Sequence, residues 1–163
     1  MNFLMQYFVI LRLNVMVYYD DNFKNDFGEK AEVRVDAIMS IVDAMYSEKD
    51  CKGNFDLETK FEVNTLGIEH AIGSHWGKLD WDKDLAPFVY YDNPNAKPLP
   101  ENDLSKIAEK SPYDADLYVF ITGKESKTGG GYAPQGTVCE KKKDKRVSIS
   151  QYEGHDCYTA TVI

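Results

Sequence analysis

Basic residues are scarce in this chain of 163 residues, which has 19 Lys and Arg against 27 Asp and Glu and a formal net charge of −8. Proteins that bind nucleic acids or anionic membranes need a basic surface, so this balance argues against both classes. No run of about 18 apolar residues occurs, and we therefore expect no transmembrane helix. Hydrophobic residues make up 43% of the chain and charged residues 28%, which excludes a disordered or fibrous protein and favours one globular domain.

Cysteine is also scarce, with three residues at Cys51, Cys139 and Cys157. They lack the C-x-x-C spacing of a structural zinc site or a redox pair. Two interpretations remain open from the spacing alone. The three residues are small buried thiols of an intracellular protein, or they belong to a secreted, oxidised protein in which an odd count leaves one cysteine without a partner in this chain.

The first ten residues are mostly apolar but have neither a preceding positive charge nor a small-residue cleavage site, so residues 1–10 form an N-terminal segment of uncertain role. From Leu11 to Tyr19, apolar residues at the odd positions alternate with Arg12, Asn14, Met16 and Tyr18. This period of two predicts a half-buried strand over 11–19, and Asp20-Asp21-Asn22 predicts a turn that closes it.

The remaining pattern predicts an α/β fold, with a five-stranded, mostly parallel twisted sheet, one antiparallel edge strand and two main helices. An apolar stripe with spacings of three and four residues predicts the first helix, over 30–48. The apolar run 116–122 predicts a central strand that is buried on both faces. The other predicted elements are a strand over 56–64, a helix over 101–110, an edge strand over 131–138 and a strand over 146–151. The basic run 141–146 is interpreted as a solvated turn.

No residues in this chain have the spacing of a zinc-peptidase site. His70, His75 and His155 are the only histidines, and none lies in an H-x-x-x-H arrangement. The triple glycine at 129–131 is not followed by a helix or by Lys-Ser/Thr, so it is not typical of a phosphate-binding loop.

The last residues, 156–163, form an apolar stretch that predicts the beginning of a helix. Because such a segment must continue in order to bury itself, we expect the natural chain to extend past Ile163.

Five segments in this order resemble the N-terminal part of the catalytic domain of reprolysin-type (adamalysin-like) metzincin zinc metalloproteases, most closely those of arachnid venoms. The resemblance begins near residue 11 and covers the rest of the chain. The segments are 13–20 (LNVMVYYD), 41–46 (IVDAMY), 114–123 (DADLYVFITG), 130–139 (GGYAPQGTVC) and 157–163 (CYTATVI). In the family, the last of these leads directly into A-H-E-x-x-H.

The resemblance implies a secreted, monomeric zinc endopeptidase that hydrolyses protein or peptide substrates. Residues 11–163 would be the N-terminal subdomain of its catalytic domain, incomplete at the C-terminus. This chain holds no catalytic residue and no zinc ligand, so we expect it to be inactive as it stands, with the zinc site just beyond Ile163. An edge strand in the family pairs with extended substrate, which by position implicates Gly130, Gly131, Tyr132 and Ala133 in substrate binding.

The resemblance also suggests a calcium site and a disulfide arrangement. Asp116 matches one of the family's calcium-binding carboxylates, whereas Asn14 replaces the other. The family cysteine at the position of Cys139 bridges to a segment beyond the zinc helix, which leaves Cys51 and Cys157 either paired or free. Two alternatives remain, namely a non-catalytic secreted binding protein derived from this fold, and a plain α/β domain of another role.

Overall fold

The computed structural model describes residues 9–47, 59–76, 104–123, 130–133, 141–143, 146–152, 154–156 and 159–160. The strands are β1 (Val9–Tyr19), β2 (Thr59–His70), β3 (Leu117–Thr122), β4 (Gly131–Tyr132) and β5 (Val147–Gln151). They form one sheet in the order β2-β1-β3-β5-β4. The neighbouring strands among β1, β2, β3 and β5 pair in parallel, whereas β4 pairs with β5 in the antiparallel direction.

The α/β class with a mostly parallel sheet is confirmed. The predicted antiparallel strand over 131–138 is represented among the described residues by the two positions of β4, because 134–140 lie outside them. Residues 77–103 also lie outside them, as do the three cysteines of the predicted disulfide arrangement.

The helices are α1 (Asp21–Phe27), α2 (Ala31–Ser47) and α3 (Leu104–Lys110), and a 3-10 turn (Gly28–Lys30) joins the first two. The predicted helices over 30–48 and 101–110 correspond to α2 and α3. The turn predicted at Asp20-Asp21-Asn22 is wrong, since α1 begins there. Asp20 is instead the N-cap of α1, and its Oδ1 accepts a hydrogen bond from the Phe23 backbone N–H at 3.0 Å.

Strand β2 extends six residues further than the predicted end at residue 64. The register explains the difference: Val15 pairs with Thr65 and Met16 with Gly67, so Leu66 is an extra residue in β2. A bulge of this kind reverses the alternation of side chains between the two faces, and it therefore hides the second half of the strand from a search for period two.

Strand β3 lies at the centre of the sheet and separates two apolar clusters. Val119 and Ile121 face the cluster that includes the buried stripe of α2, whereas Tyr118 and Phe120 face the cluster that includes α3. All four side chains are fully buried, which confirms the prediction of a strand covered on both faces. Among the described residues, no helix has both the length and the apolar character needed to cross a membrane.

Candidate functional site

The predicted substrate-binding residues, Gly130–Ala133, lie at one edge of the sheet and are called the edge segment below. The backbone N–H of Gln151 donates to the carbonyl of Gly130 at 2.7 Å, and Gly131 lies opposite Ser150. Hydrogen-bonded and non-hydrogen-bonded positions alternate in an antiparallel pair, so the N–H and C=O of Gly131 point away from β5. Within the described part of the chain, no strand pairs with that outer side of β4.

This geometry allows an extended peptide to add to the sheet. Strand addition needs outward main-chain donors and acceptors and no special side chain, and Gly131 offers one of each. Gly131 and Ala133 are exposed, so a ligand can reach them. Gly130 adopts a φ of 69°, a conformation that glycine tolerates better than other residues.

A helix begins directly after β5, as the sequence predicted. Strand β5 is held on its other side by a hydrogen bond from the Tyr152 N–H to the Thr122 carbonyl at 2.9 Å. The chain then turns at Gly154, whose φ is 90°, and Asp156 is the first helical residue.

Farther along this helix, Thr159 and Ala160 face the protein interior. The side chains of Thr159 and Ala160 are buried, and Ala160 packs in the same cluster as α2. The Thr159 N–H donates to the His155 carbonyl at 3.2 Å, and the Thr159 carbonyl lies 3.5 Å from the Ser150 Oγ. The helix therefore begins close to β5, which is the strand that pairs with the edge segment.

Two of the three histidines lie at the opposite side of the sheet. His70 Nε2 is 2.7 Å from Asp21 Oδ1, and His75 Nδ1 is 3.2 Å from Asn22 Oδ1. They sit by the carboxyl ends of β1 and β2, with β3 between them and β5, whereas His155 is exposed just ahead of the new helix. The residues that the structure describes contain no group of three or more His, Cys, Asp or Glu able to hold a metal ion.

The two predicted calcium-binding residues contact each other, and each has a side-chain oxygen that accepts a hydrogen bond. Asp116 Oδ2 accepts a hydrogen bond from the Asn14 backbone N–H at 2.8 Å, while the Asn14 Oδ1 accepts one from Asn64 Nδ2 at 2.9 Å. Asp116 thus fastens the start of β3 to β1. One carboxylate and one amide are far fewer oxygen ligands than the roughly six to eight that calcium takes, and the calcium site stays a prediction.

The basic run predicted to be a solvated turn instead fastens the segment before β3. Lys143 Nζ donates to the carbonyls of Ser111 and Tyr113 at 3.0 and 2.8 Å, and Arg146 Nη1 donates to the carbonyl of Ala115 at 2.7 Å. Of the described residues in this run, the first two, 141 and 142, are exposed, and the other two are half-buried. Two cations therefore satisfy backbone acceptors of the segment through which the chain approaches the central strand.

Asp20 carries the most deeply buried carboxylate among the described residues, and it is not one of the predicted site residues. Its Oδ2 accepts hydrogen bonds from the Trp76 N–H at 2.9 Å and from Thr122 Oγ1 at 2.6 Å. Burial raises the pKa of the Asp20 carboxyl, and the hydrogen bonds that it accepts oppose this rise. The sequence signal that could have identified this residue is an Asp placed between a strand and a helix, which is typical of an N-cap.

Comparison with known proteins gives a fold and no family. No family model matches the chain, and no curated protein matches it in sequence. The chain is similar to one in a solved structure described as "Structure of a chaperone-substrate complex", with a TM-score of 0.55 and 11% identity. The match covers 93% of this chain and 24% of that chain, so this chain spans about a quarter of its length. At this identity the similarity concerns the fold alone.

Proposed function

We propose that this chain is the N-terminal part of the catalytic domain of a secreted zinc-dependent endopeptidase of the reprolysin type. In this proposal, the described strands belong to the five-stranded mixed sheet of a metzincin N-terminal subdomain. The observation that carries the proposal is the helix that begins at Asp156, shortly after β5, which is the strand that pairs with the edge segment. A peptide bound along β4 would lie close to whatever that helix carries.

The proposal assigns zinc binding and peptide binding to different parts of the protein. No described residues form a zinc site, so the proposal assigns zinc to residues after Ile163 and derives no step through it. The zinc, when bound, would activate water for hydrolysis. The edge segment would bind the substrate main chain in extended form, with Gly131 supplying the outward N–H and C=O. Protein or peptide is the substrate class, and the enzyme acts as a monomer.

A second candidate is a non-catalytic secreted protein that binds extended peptides. The exposed Gly131 favours it equally, because strand addition at the edge segment requires no metal and no histidine. The two candidates therefore differ in hydrolysis and agree in binding.

The test begins with the coding sequence downstream of Ile163. An A-H-E-x-x-H-x-x-G-x-x-H motif there, cleavage of protein substrates by the encoded protein and loss of cleavage on chelation would support the peptidase. A stop codon directly after Ile163 would contradict it and leave the binding protein.

The role of the edge segment is tested by Gly131→Pro, with Gly131→Ala as its matched control. Proline removes the outward N–H, whereas alanine retains it. We expect the proline variant to raise KM for peptides, or the peptide Kd in the binding protein, by roughly tenfold, which corresponds to one lost hydrogen bond of about 1.4 kcal/mol. Equal constants for the two variants would remove the edge segment from the proposal.

A further inference from the structure

One ion pair joins α2 to the helix that follows β5. Arg34 Nη1 lies 2.8 Å from Asp156 Oδ2, and these residues are 122 positions apart in the sequence. The Asp156 side chain is only 18% exposed. The contact is a charge-assisted hydrogen bond between the first turn of one helix and a neighbouring helix, and such bonds are stronger than those between neutral groups.

Aromatic side chains hold the guanidinium group in position. The Arg34 guanidinium carbon lies 5.2 Å from the centre of the Phe27 ring, within the range of a cation–π contact. Phe27 packs edge-on against Tyr152 at 4.8 Å, and Phe23 also meets Tyr152 edge-on at 5.8 Å. Tyr152 is the residue that immediately follows β5. Arg34, Phe27, Tyr152 and Asp156 are called the Arg34 cluster below.

The Arg34 cluster supports the junction between β5 and the helix. The chain between Tyr152 and Asp156 includes Gly154 at a φ of 90°, a conformation that does not by itself fix the direction of the following helix. Beyond the junction, the described helix is held by the buried Thr159 and Ala160. One anchor at its first turn and another at its next turn define the axis of the helix.

We propose that Arg34 is a positioning residue, which through Asp156 sets the direction of the helix that follows β5. This inference rests on the proposed function, because that helix would carry the zinc ligands. Partners that orient zinc ligands from outside the coordination sphere change metal affinity or activity by roughly 10–100-fold when they are removed. Arg34 acts one step further away, so we expect the lower end of this range.

The stability of the fold depends much less on this contact. The Arg34 side chain is 42% exposed, and ion pairs at such positions contribute about 0–1 kcal/mol. Removing the charge should therefore leave the unfolding midpoint nearly unchanged while it alters the catalytic parameters. A purely structural residue would show the reverse.

The experiment compares Arg34→Gln with Arg12→Gln in the protein encoded by the extended reading frame. Arg12 is the matched control, because it forms an exposed ion pair with Glu62 at 3.2 Å near the start of β1, away from the Arg34 cluster. We expect Arg34→Gln to lower kcat and to speed zinc loss to a chelator by roughly tenfold each, with KM within about twofold. Arg12→Gln should change none of these.

Exchanging the charges provides a rescue. The double variant Arg34→Glu with Asp156→Arg restores an ion pair of opposite direction, and it should recover part of kcat relative to either single change. The positioning role is overturned if Arg34→Gln leaves kcat and zinc loss within about twofold of wild type. It is also overturned if the loss in the free energy of unfolding equals the fall in kcat expressed as a free energy.

Hydrogen exchange in the 163-residue chain separates this inference from the proposed function. The Thr159 amide reports on the first turns of the helix through its bond to the His155 carbonyl. We expect Arg34→Gln, and not Arg12→Gln, to speed its exchange about threefold, as the loss of a partly exposed ion pair allows. If the Thr159 amide exchanges at the same rate in Arg34→Gln as in wild type, the Arg34 cluster does not anchor the helix. Faster exchange in a protein that neither binds zinc nor cleaves peptides overturns the proposed function alone.

Discussion

Replacing Asp20 by alanine should be the most damaging single substitution at the carboxyl ends of the central strands. The carboxylate is fully buried and accepts three hydrogen bonds, from the Phe23 N–H, the Trp76 N–H and the Thr122 hydroxyl, at 3.0, 2.9 and 2.6 Å. It thereby joins the start of α1, the segment after β2 and the end of β3. Alanine leaves all three donors without this acceptor.

The magnitude follows from those donors. A buried donor without a partner costs about 1–3 kcal/mol, and the loss of an N-cap costs about 1 kcal/mol. Because the donors share one site, the costs do not add fully, and we expect the free energy of unfolding to fall by about 3–5 kcal/mol. That is a large part of the roughly 5–15 kcal/mol that stabilises a typical domain.

Urea unfolding followed by far-ultraviolet circular dichroism measures this loss. Asp114→Ala is the control, since the Asp114 side chain is 78% exposed and forms an ion pair with Arg146. It should change the free energy of unfolding by less than about 1 kcal/mol. A loss below about 1 kcal/mol for Asp20→Ala would refute the assignment of Asp20 as the joint between these elements.

The pH dependence of stability gives a second measurement on Asp20. Its pKa is raised above the ordinary 3.8 by burial, so the folded state binds the proton more tightly than the unfolded state. The stabilisation from this proton is complete below a pH of 3.8 and is lost as the pH rises through the higher folded value. The side-chain amide of an Asp20→Asn variant cannot ionise, so wild type should lose stability relative to that variant over this window. If the difference in the free energy of unfolding between wild type and Asp20→Asn did not change with pH, the raised pKa of Asp20 would be contradicted.

Three further outcomes are expected. Gly123→Ala should lower the free energy of unfolding by about 1–3 kcal/mol, because its Cβ would lie 2.7 Å from the Asn22 backbone carbon. Gly67→Ala is the comparison, since the nearest atom there belongs to the flexible Met16 side chain at 3.1 Å, and a smaller loss at Gly123 than at Gly67 would be contrary to this packing. Tyr18→Phe should cost about 1 kcal/mol in urea unfolding through the lost 2.9 Å bond to Ser111, and no loss would mean that water replaces this bond. Calcium should not raise the Tm in a calorimetric scan, because Asp116 is bonded to the β1 backbone; a rise with calcium would refute that interpretation.

Those parts of the fold that depend on local periodicity were predictable from the sequence. Strand β3 is a continuous apolar run, and α2 carries a stripe with helical spacing, so both appear in a simple pattern search. The predicted helix after β5 was likewise found at Asp156. The hydrophobic pattern of these segments lies within a few neighbouring residues, so it can be recognised without knowledge of any distant contact.

Other features depend on contacts that a local pattern does not contain. The short helix α1 is stabilised by Asp20, whose other two hydrogen bonds come from residues 56 and 102 positions away. The extra residue Leu66 breaks the alternation in β2 because of its register against β1. Lys143 resembles a solvated lysine in the sequence, and only the fold brings the Ser111 carbonyl to its amine.

Both ends of the candidate site depend on β5. On one side, the Gln151 N–H bonds to the edge segment, and on the other the Tyr152 N–H bonds to Thr122 of the central strand. The helix then begins within five residues, at Asp156, and is connected to α2 through Arg34. Because β5 pairs with the edge segment and also leads into the helix, a shift of β5 would move both together. The position of the edge segment relative to the helix is therefore set by β5, and the proposed binding of a peptide would depend on this rigid support.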